Sequence, residues 1–272
     1  QSANPDIVIN EVMFIPPPGN NEWIELYNEG NTCVNIDDYD ITDKDDNTYT
    51  IPSALPDFPP NNHVVIILDG LGSDFDDYDF RDGKAVLHTP ASLSDDVFDN
   101  VTDICTLYEG PRHDETTKID FVAWGDYPSV GKYISTVLKP GSSPVSRCNE
   151  TIGLHPNKYR GWISQWVVYE SDEITQGSQN AIPKPILWGP PNGTATCTTN
   201  LTLTWRDPVL NVKDYYLQVD NDADFSSPII DVFTTENWYG NVSLSNGTYY
   251  WRVKTTDKSL KESKYSGVSS LT

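Results

Sequence analysis

The sequence predicts an all-β protein built from β-sandwich domains. Short runs of residues alternate between apolar and polar types, which is the pattern of strands with one buried face. Pro, Gly, Asn and Asp punctuate these runs, and sustained helical periodicity is nearly absent. The length of 272 residues exceeds that of most single domains and predicts two of them. A polar linker with proline at 177–185 places the boundary near Ile182, giving domains at 1–182 and 183–272.

Strand-like runs recur through the first domain, separated by segments that cannot continue a central strand. Two of these segments are rich in proline, at 16–20 and 56–60, and the acidic stretch at 73–79 predicts a solvated loop. This spacing is typical of a β-sandwich or barrel. The clearest predicted strands cover residues 7–13, 22–27, 34–41, 63–68, 104–108 and 119–124, followed by further runs at 145–148 and 162–169.

The second domain shows the same alternation. Predicted strands cover residues 201–205, 215–219, 229–233 and 248–255. In the last of these, the period of two puts Tyr249, Trp251 and Val253 on one face of the strand. We expect that face to meet Trp205 and Leu217 across the core.

The first domain resembles the lamin-tail domain family. The stretches that carry the resemblance follow in order over most of residues 6–180. They are 7–12 (IVINEV), 22–28 (EWIELYN), 34–43, 63–69 (HVVIILD) and 119–125 (IDFVAWG). Tyr39 stands where tryptophan is commoner in the family, and the closing motif is reduced at 174–180. The resemblance implies an immunoglobulin-like sandwich.

The second domain resembles a fibronectin type III module. Leu203-Thr204-Trp205 matches the tryptophan of the family's second strand, 216–220 its third strand, and 244–253 its tyrosine-corner strand. The fold class implied is two immunoglobulin-like β-sandwich domains in tandem. Prokaryotic modules of this kind are typically parts of secreted and cell-surface proteins, so the resemblance implies an exterior bacterial or archaeal protein. The chromatin contacts of nuclear lamin tails do not carry over, because this chain lacks a basic surface.

The charge is strongly negative and unevenly distributed. The chain carries a net charge of −22, and residues 1–182 contain 10 Lys and Arg against 31 Asp and Glu. Residues 183–272 contain 8 against 9. Nucleic acids bind proteins mainly through Lys and Arg, so they are excluded as partners. No apolar run approaches the ~20 residues of a membrane-spanning helix. The chain opens on Gln1, which fits either a mature product that has lost its leader or a trimmed chain.

The cysteines predict disulfides and an oxidising compartment, with buried free thiols as the alternative. No Cys or His spacing suggests zinc. Cys33 and Cys105 fall on predicted strands that could be neighbours, whereas a bond between Cys148 and Cys197 would clamp the two domains together. All three internal pairings stay open. The Asn-x-Ser/Thr sequons that predict glycosylation begin at Asn100, Asn149, Asn192, Asn200, Asn241 and Asn246.

Neither a cofactor nor a metal site is predicted, although Ca²⁺ is a weak option. Asp220, Asp222 and Asp224 have the spacing that opens a calcium loop, but Phe225 replaces the glycine that the loop needs. Asp74 and Asp76 lie in the acidic stretch of the first domain. For Asp220, Asp222 and Asp224 an acidic hairpin turn is the preferred interpretation, and for Asp74 and Asp76 a solvated acidic loop.

Two kinds of residue stand out beyond the predicted cores. Glu11 and Glu25 sit among apolar neighbours and must be hydrogen-bonded or neutral, as a general acid, a ligand or, preferably, a structural carboxylate. Trp162, Trp166, Trp188 and Trp238 are candidates for stacking on sugars or anchoring a protein interface. For Trp188 we expect partial burial at the domain junction.

The sequence predicts a protein that is not an enzyme, since it contains no nucleophile motif, zinc-protease motif or phosphate-binding glycine loop. We expect a secreted or cell-surface structural protein. It would be a self-assembling subunit of a prokaryotic, such as an archaeal, surface layer, sheath or fibre, or an adhesion module. The alternative is a carbohydrate- or protein-binding module of a secreted protein. The expected partners are copies of itself, other cell-envelope proteins, or glycans.

Overall fold

A computed structural model describes residues 6–94, 97–99, 103–124, 150–154, 166–169, 174–195, 201–206 and 212–272, with 150–154 and 166–169 described by their backbone alone. The fold is almost entirely β, as the sequence predicts. The chain divides into two compact units, Gln1–Asn180 and Ala181–Thr272, which are described separately. The described residues contain no helix of the length and apolarity that a membrane crossing requires.

Unit 1 is a sandwich of two sheets. One sheet has the strand order β10-β9-β1-β2-β5-β6 and the other β4-β3-β7-β8, and all the pairs are antiparallel except the parallel pair β5–β6. The strands are β1 Ile7–Ile15, β2 Trp23–Asn28, β3 Asp40–Thr42, β4 Thr48–Thr50, β5 His63–Ile67, β6 Lys84–His88, β7 Asp103–Tyr108, β8 Lys118–Trp124, β9 Glu150–Leu154 and β10 Trp166–Tyr169. Short 3₁₀ helices cover Ser73–Phe75 and Phe80–Asp82.

The core of unit 1 follows from the period of two in its strands. Alternate residues of β2, Ile24 and Leu26, point into the core with Val12 of β1. They share that core with Leu107 of β7 and Trp124 of β8 in the second sheet. Glu25 lies between Ile24 and Leu26 and therefore faces the other side of its sheet.

The predicted strand at 34–41 is wrong for most of its length. Val34 forms an isolated bridge with Phe58, and the regular strand β3 begins only at Asp40. Between them the backbone amide of Asp37 donates to the side-chain oxygen of Asn35, and Asp38 adopts a left-handed φ of 60°. Asn and Asp side chains stabilise such turns by bonding the backbone two residues on. The run predicted at 145–148 lies outside the described residues.

Unit 2 contains two further sheets, with the strand orders β11-β12-β15 and β14-β13-β16-β17. Its core holds Leu203 and Trp205 from the first sheet and Leu217, Trp251 and Val253 from the second, as the alternation predicts. The strands are β11 Ile186–Gly189, β12 Leu201–Arg206, β13 Val212–Asp220, β14 Ile230–Thr234, β15 Trp238–Val242, β16 Tyr249–Asp257 and β17 Ser269–Leu271.

Candidate functional site

A pair of buried carboxylates lies on the outer side of the first sheet of unit 1. Glu11 of β1 and Glu25 of β2 stand directly opposite each other in the strand register, and both are fully buried. Side chains at opposed positions of antiparallel strands are near neighbours. The sequence therefore brings two acidic groups together in a place from which water is excluded.

The segment 174–180 closes over this pair by hydrogen bonds, without forming a strand. The backbone amide of Gly177 donates to Oε2 of Glu25, and the hydroxyl of Thr175 donates to Oε2 of Glu11 at 3.3 Å. The side-chain amide of Asn180 donates to the backbone carbonyl of Asn10 at 3.1 Å. Gly177 has a φ of 74° and lies against the Lys84 side chain, so a larger residue would fit poorly there.

The electrostatics of the pair favour a protonated Glu25. Burial and the neighbouring charge of Glu11 raise the pKa of Glu25 well above its ordinary value. Hydrogen bonds from Asn10, whose Nδ2 donates to Oε1 at 2.6 Å, and from Gly177 oppose that rise, as does the charge of Lys84. A raised pKa is what a general acid needs, but here the carboxyl is covered and bonded to the closing segment. The arrangement fits the structural role preferred from the sequence.

An open groove of about 490 Å³ lies beside the closing segment of unit 1. Met13 and Trp23, which pair across β1 and β2, form part of its wall together with Ile174. The described residues that line it include no acid, base, cysteine, serine or threonine. They are Met13, Pro16, Pro17, Gly19, Asn20, Asn21, Trp23, Ile67, Ile174 and Gln176. Those residues can hold an apolar group but offer no proton transfer or nucleophile.

Unit 2 presents two exposed tryptophans on the outer side of one sheet. We call this surface the tryptophan face; it consists of Ile186, Trp188, Thr202, Thr204, Arg206, Trp238 and Gly240 of the sheet β11-β12-β15. Trp188 on β11 is 58 % exposed and Trp238 on β15 is 48 % exposed. The alternation of β12, whose Leu203 and Trp205 enter the core, directs Thr202, Thr204 and Arg206 to this outer side.

The strand register holds both tryptophans at the level of Thr204. Trp238 is the direct partner of Thr204, whose other neighbour is Gly189 on β11. The register of β11 shifts between Leu187 and Gly189, so Trp188 occupies a bulge. The guanidinium carbon of Arg206 lies 3.2 Å from the centre of the Trp188 ring, which fixes the ring by a cation–π contact.

The expected partial burial of Trp188 at the domain junction stays a prediction, and the residue is 58 % exposed. Its bulge and its contact with Arg206 keep the ring on the open side of the sheet. Trp238 is exposed, as its position outside the predicted cores suggested. Trp162 lies outside the described residues, and Trp166 lies in β10, which is described by its backbone alone.

On the outer side of the opposite sheet of unit 2, Arg252 contacts two aromatic rings, a cluster that the sequence analysis did not predict. The Arg252 guanidinium lies 4.0 Å from the ring centres of both Phe225 and Tyr265, and its nitrogens donate to Oε1 of Gln218. One sequence signal pointed to the outward position of Arg252, because it alternates with core residues along β16. The partner rings come from distant loops, which periodicity cannot place.

The structure gathers none of the weak calcium candidates into a site. Among the described residues no His, Cys, Asp and Glu side chains form a group that could hold a metal ion. Asp220 is buried and accepts from the backbone amides of Asp222 and Ser227, so it caps the β13–β14 turn. Asp76 accepts from the backbone of His88 and the hydroxyl of Tyr78. Asp74, Asp222 and Asp224 are exposed.

The candidate bond between Cys33 and Cys105 is absent from the structure, where both are free thiols. Cys105 lies on β7 opposite Val122 and points into the core, whereas Cys33 lies exposed outside any strand. Cys148 and Cys197 lie outside the described residues.

We expect the two thiols to differ sharply in reactivity. Iodoacetamide should modify Cys33 in the folded chain without prior reduction, because this thiol is exposed. Cys105 should react only after unfolding, because it is buried and burial raises its pKa. Peptide mass spectrometry before and after unfolding measures both. A Cys33 that reacts only after treatment with a reductant would contradict the free thiol.

Of the predicted glycosylation sites, the described part of the chain contains Asn192, Asn241 and Asn246, and all three are exposed. Asn241 lies on β15 with a left-handed φ of 58°, and Asn192 accepts two hydrogen bonds from Ser270. Asn100, Asn149 and Asn200 lie outside the described residues.

The fold and the register of unit 1 define an immunoglobulin-like β-sandwich. Residues 1–126 match the family model of the Lamin Tail Domain, which confirms the resemblance for that stretch. The fibronectin type III resemblance of unit 2 stays a prediction. No curated protein matches the chain.

Solved structures give partial similarities. A β-1,2-glucanase from Parabacteroides distasonis is 21 % identical with a TM-score of 0.27, and an α-L-rhamnosidase from Dictyoglumus thermophilum is 18 % identical with a TM-score of 0.28. Each match covers 33 % of this chain and only 12 % of that enzyme chain. The human OSCAR ligand-binding domain is 15 % identical over 62 % of this chain and 89 % of its own, with a TM-score of 0.23.

Proposed function

We propose that the chain is a non-catalytic structural protein of a prokaryotic cell surface that works through the outer faces of its sheets. It serves either as a self-assembling subunit of a surface layer, sheath or fibre, or as an adhesion module. The observation that carries this proposal is the tryptophan face, on which Trp188 and Trp238 stand exposed on the same side of one sheet. Tryptophan is the residue most enriched among those that dominate binding energy at interfaces.

Two features of unit 1 support a role without catalysis. Glu25, whose pKa is raised well above its ordinary value, is covered by the closing segment. The groove beside it is lined, in the described part, by side chains with no reactive group. Reactive chemistry needs an ionisable group and a substrate at the same place, and here they are separate.

The exterior location rests on composition and on exposed sequons. A net charge of −22 keeps a chain soluble and apart from anionic polymers. The sequon residues Asn192, Asn241 and Asn246 stand on the surface of unit 2, where a glycosylating enzyme could reach them. Free thiols at Cys33 and Cys105 give no support to this part of the proposal.

The experiment compares the chain with a Trp188→Ala/Trp238→Ala double variant. Sedimentation velocity and rebinding to cell envelopes stripped of surface proteins are measured for both. We expect the chain to form large particles or to return to the envelopes, and the double variant to lose that behaviour. Phe233→Ala is the matched control, because Phe233 is 65 % exposed on the other sheet of unit 2.

The result that would overturn the proposal is a chain that stays a single particle and ignores the envelopes. Equal behaviour of the chain and the double variant would also overturn the role of the tryptophan face. The Phe233→Ala control separates this surface from a general effect of removing an exposed aromatic ring.

A further inference from the structure

The geometry points to a binding site for an uncharged polysaccharide on the tryptophan face. We infer that pyranose rings of an extended chain stack on Trp188 and Trp238 while the hydroxyls of Thr202 and Thr204 bond to the sugar edges. This inference rests on the proposed function, because it names the ligand of the same surface in its adhesive form.

The side chain of Trp238 lies over its own strand, β15. A Cβ atom added to Gly240 would come within 3.0 Å of Cζ3 of the Trp238 ring and 3.6 Å of the Thr202 hydroxyl. The glycine thus leaves room for the benzo part of the indole to lie down on β15. A ring that lies against the strand on one side turns its other side to solvent. A sugar ring needs an aromatic face that is open to solvent, because the C–H groups of a pyranose pack against such a face.

Trp188 is held rigidly by its neighbour. The Arg206 guanidinium covers one side of the Trp188 ring at 3.2 Å, while the residue as a whole stays 58 % exposed. A fixed aromatic ring loses little conformational entropy when it binds a ligand. The cation–π contact therefore holds the ring in position for stacking on a sugar. It also gives the positive charge of Arg206 a partner within the protein.

The spacing of the two strands that carry the tryptophans suits an extended chain. Trp188 and Trp238 stand on strands two spacings apart, which places their backbones about 10 Å from each other. A disaccharide repeat of an extended β-linked polysaccharide has a length of this order. Thr204 lies between them in register with Trp238, and Thr202 lies on the same side of β12. The Thr204 hydroxyl donates to the Gly189 carbonyl at 3.3 Å and keeps its lone pairs to accept from a sugar hydroxyl, whereas the Thr202 hydroxyl can both donate and accept.

The charge of the surface selects an uncharged ligand. Arg206 is the single charged side chain among the residues that define the tryptophan face, and it is already stacked on Trp188. Anionic polymers are bound by several Lys or Arg residues, and this face supplies only Arg206. Residues 183–272, which contain the face, are nearly neutral, with 8 Lys and Arg against 9 Asp and Glu. A neutral polysaccharide needs no basic partner and buries no unpaired charge.

The test uses the full chain and insoluble cellulose and chitin, with alginate as the anionic comparison. We expect the chain to pellet with at least one neutral polymer, and binding to persist when the salt concentration is raised. Trp188→Ala and Trp238→Ala should each weaken binding about tenfold or more, by analogy with the loss of a base stacked on an aromatic ring. Phe233→Ala should bind as the unchanged chain does, and unchanged thermal midpoints would show that each variant is folded.

Three outcomes would overturn the inference. The first is retention on neither neutral polymer, the second is equal binding by the double tryptophan variant, and the third is salt-sensitive binding to alginate alone. If the polymers fail but the tryptophan variants still abolish particle formation, the partner is another copy of the chain and the proposed function stands. If neither assay responds to the tryptophans, both proposals fall.

Discussion

Replacing Trp124 with alanine is expected to lower the free energy of unfolding of unit 1 by about 3–5 kcal/mol. Trp124 is fully buried at the end of β8. Its ring stacks on Phe14 with 4.6 Å between centres, meets the edge of Phe98 at 5.4 Å, and its Nε1 donates to the Asp99 carbonyl at 2.8 Å. The substitution therefore removes a large apolar surface, leaves a cavity and deletes the hydrogen bond to the Asp99 carbonyl.

The reactivity of Cys105 measures this loss within unit 1. Its thiol is buried in the same core as Trp124, so the urea concentration at which it becomes reactive reports the unfolding of that unit. Trp124→Ala should lower that concentration strongly, whereas Trp238→Ala should leave it unchanged because Trp238 is an exposed residue of unit 2. An unchanged midpoint for Trp124→Ala would contradict the core assigned to it.

The second large effect concerns Glu25 and the pH. A carboxyl whose pKa is raised on folding binds its proton more tightly in the folded state. Below the ordinary glutamic acid pKa of about 4.3, Glu25 is protonated in both the folded and the unfolded state and does not reduce the stability of unit 1. As the pH rises from there through the raised pKa, the unfolded state gives up the proton more easily, and the free energy of unfolding falls. Each unit of the rise corresponds to about 1.4 kcal/mol of stability lost.

Glu25→Gln should remove this part of the pH dependence, because glutamine cannot ionise. The groups that face Glu25 are Glu11, Lys84 and His63, whose Nε2 lies 3.8 Å from Oε1. They remain in the variant, so the difference between the two unfolding curves reports the ionisation of Glu25 together with its coupling to these neighbours. The free energies of unfolding are compared from pH 4 to pH 8. Relative to the unchanged chain, the variant should gain stability as the pH rises.

Glu109→Gln is the matched control, since Glu109 is an exposed carboxylate of the same unit. This control should run parallel to the unchanged chain across the whole range. Parallel curves for Glu25→Gln as well would show that Glu25 ionises normally, in conflict with its burial beneath Gly177.

The strands and both cores could be predicted from the sequence because they depend on local alternation. Leu203 and Trp205 in β12, like Leu217 and Val253 in their strands, follow the period of two without interruption. The predicted strand at 34–41 is wrong where Asp38 adopts a left-handed conformation with a positive φ. Apolar periodicity carries no information on the sign of φ. Side-chain turns of this kind compete with strand pairing.

The sites were harder to predict because they join residues far apart in the chain. Asn10 forms a hydrogen bond with Asn180, which is 170 residues away in the sequence, and no local sequence pattern predicts such a contact. The exposure of Trp188 depends on a bulge in β11 and on Arg206 of the next strand. The sequence also left open whether Cys33 and Cys105 are bonded, because four cysteines permit several pairings; in the structure Cys33 is exposed outside any strand and Cys105 is buried, and both are free.

Hydroxyl-radical footprinting of the chain on the cells that produce it, compared with the released chain, tests most directly whether the outer sheet face performs the function. We predict that oxidation of Trp188 and Trp238 falls sharply in the native setting, because a partner covers both rings, while Phe233 on the other sheet of unit 2 is oxidised equally in both. Equal oxidation of both tryptophans on the cell and in solution would contradict a role for this face.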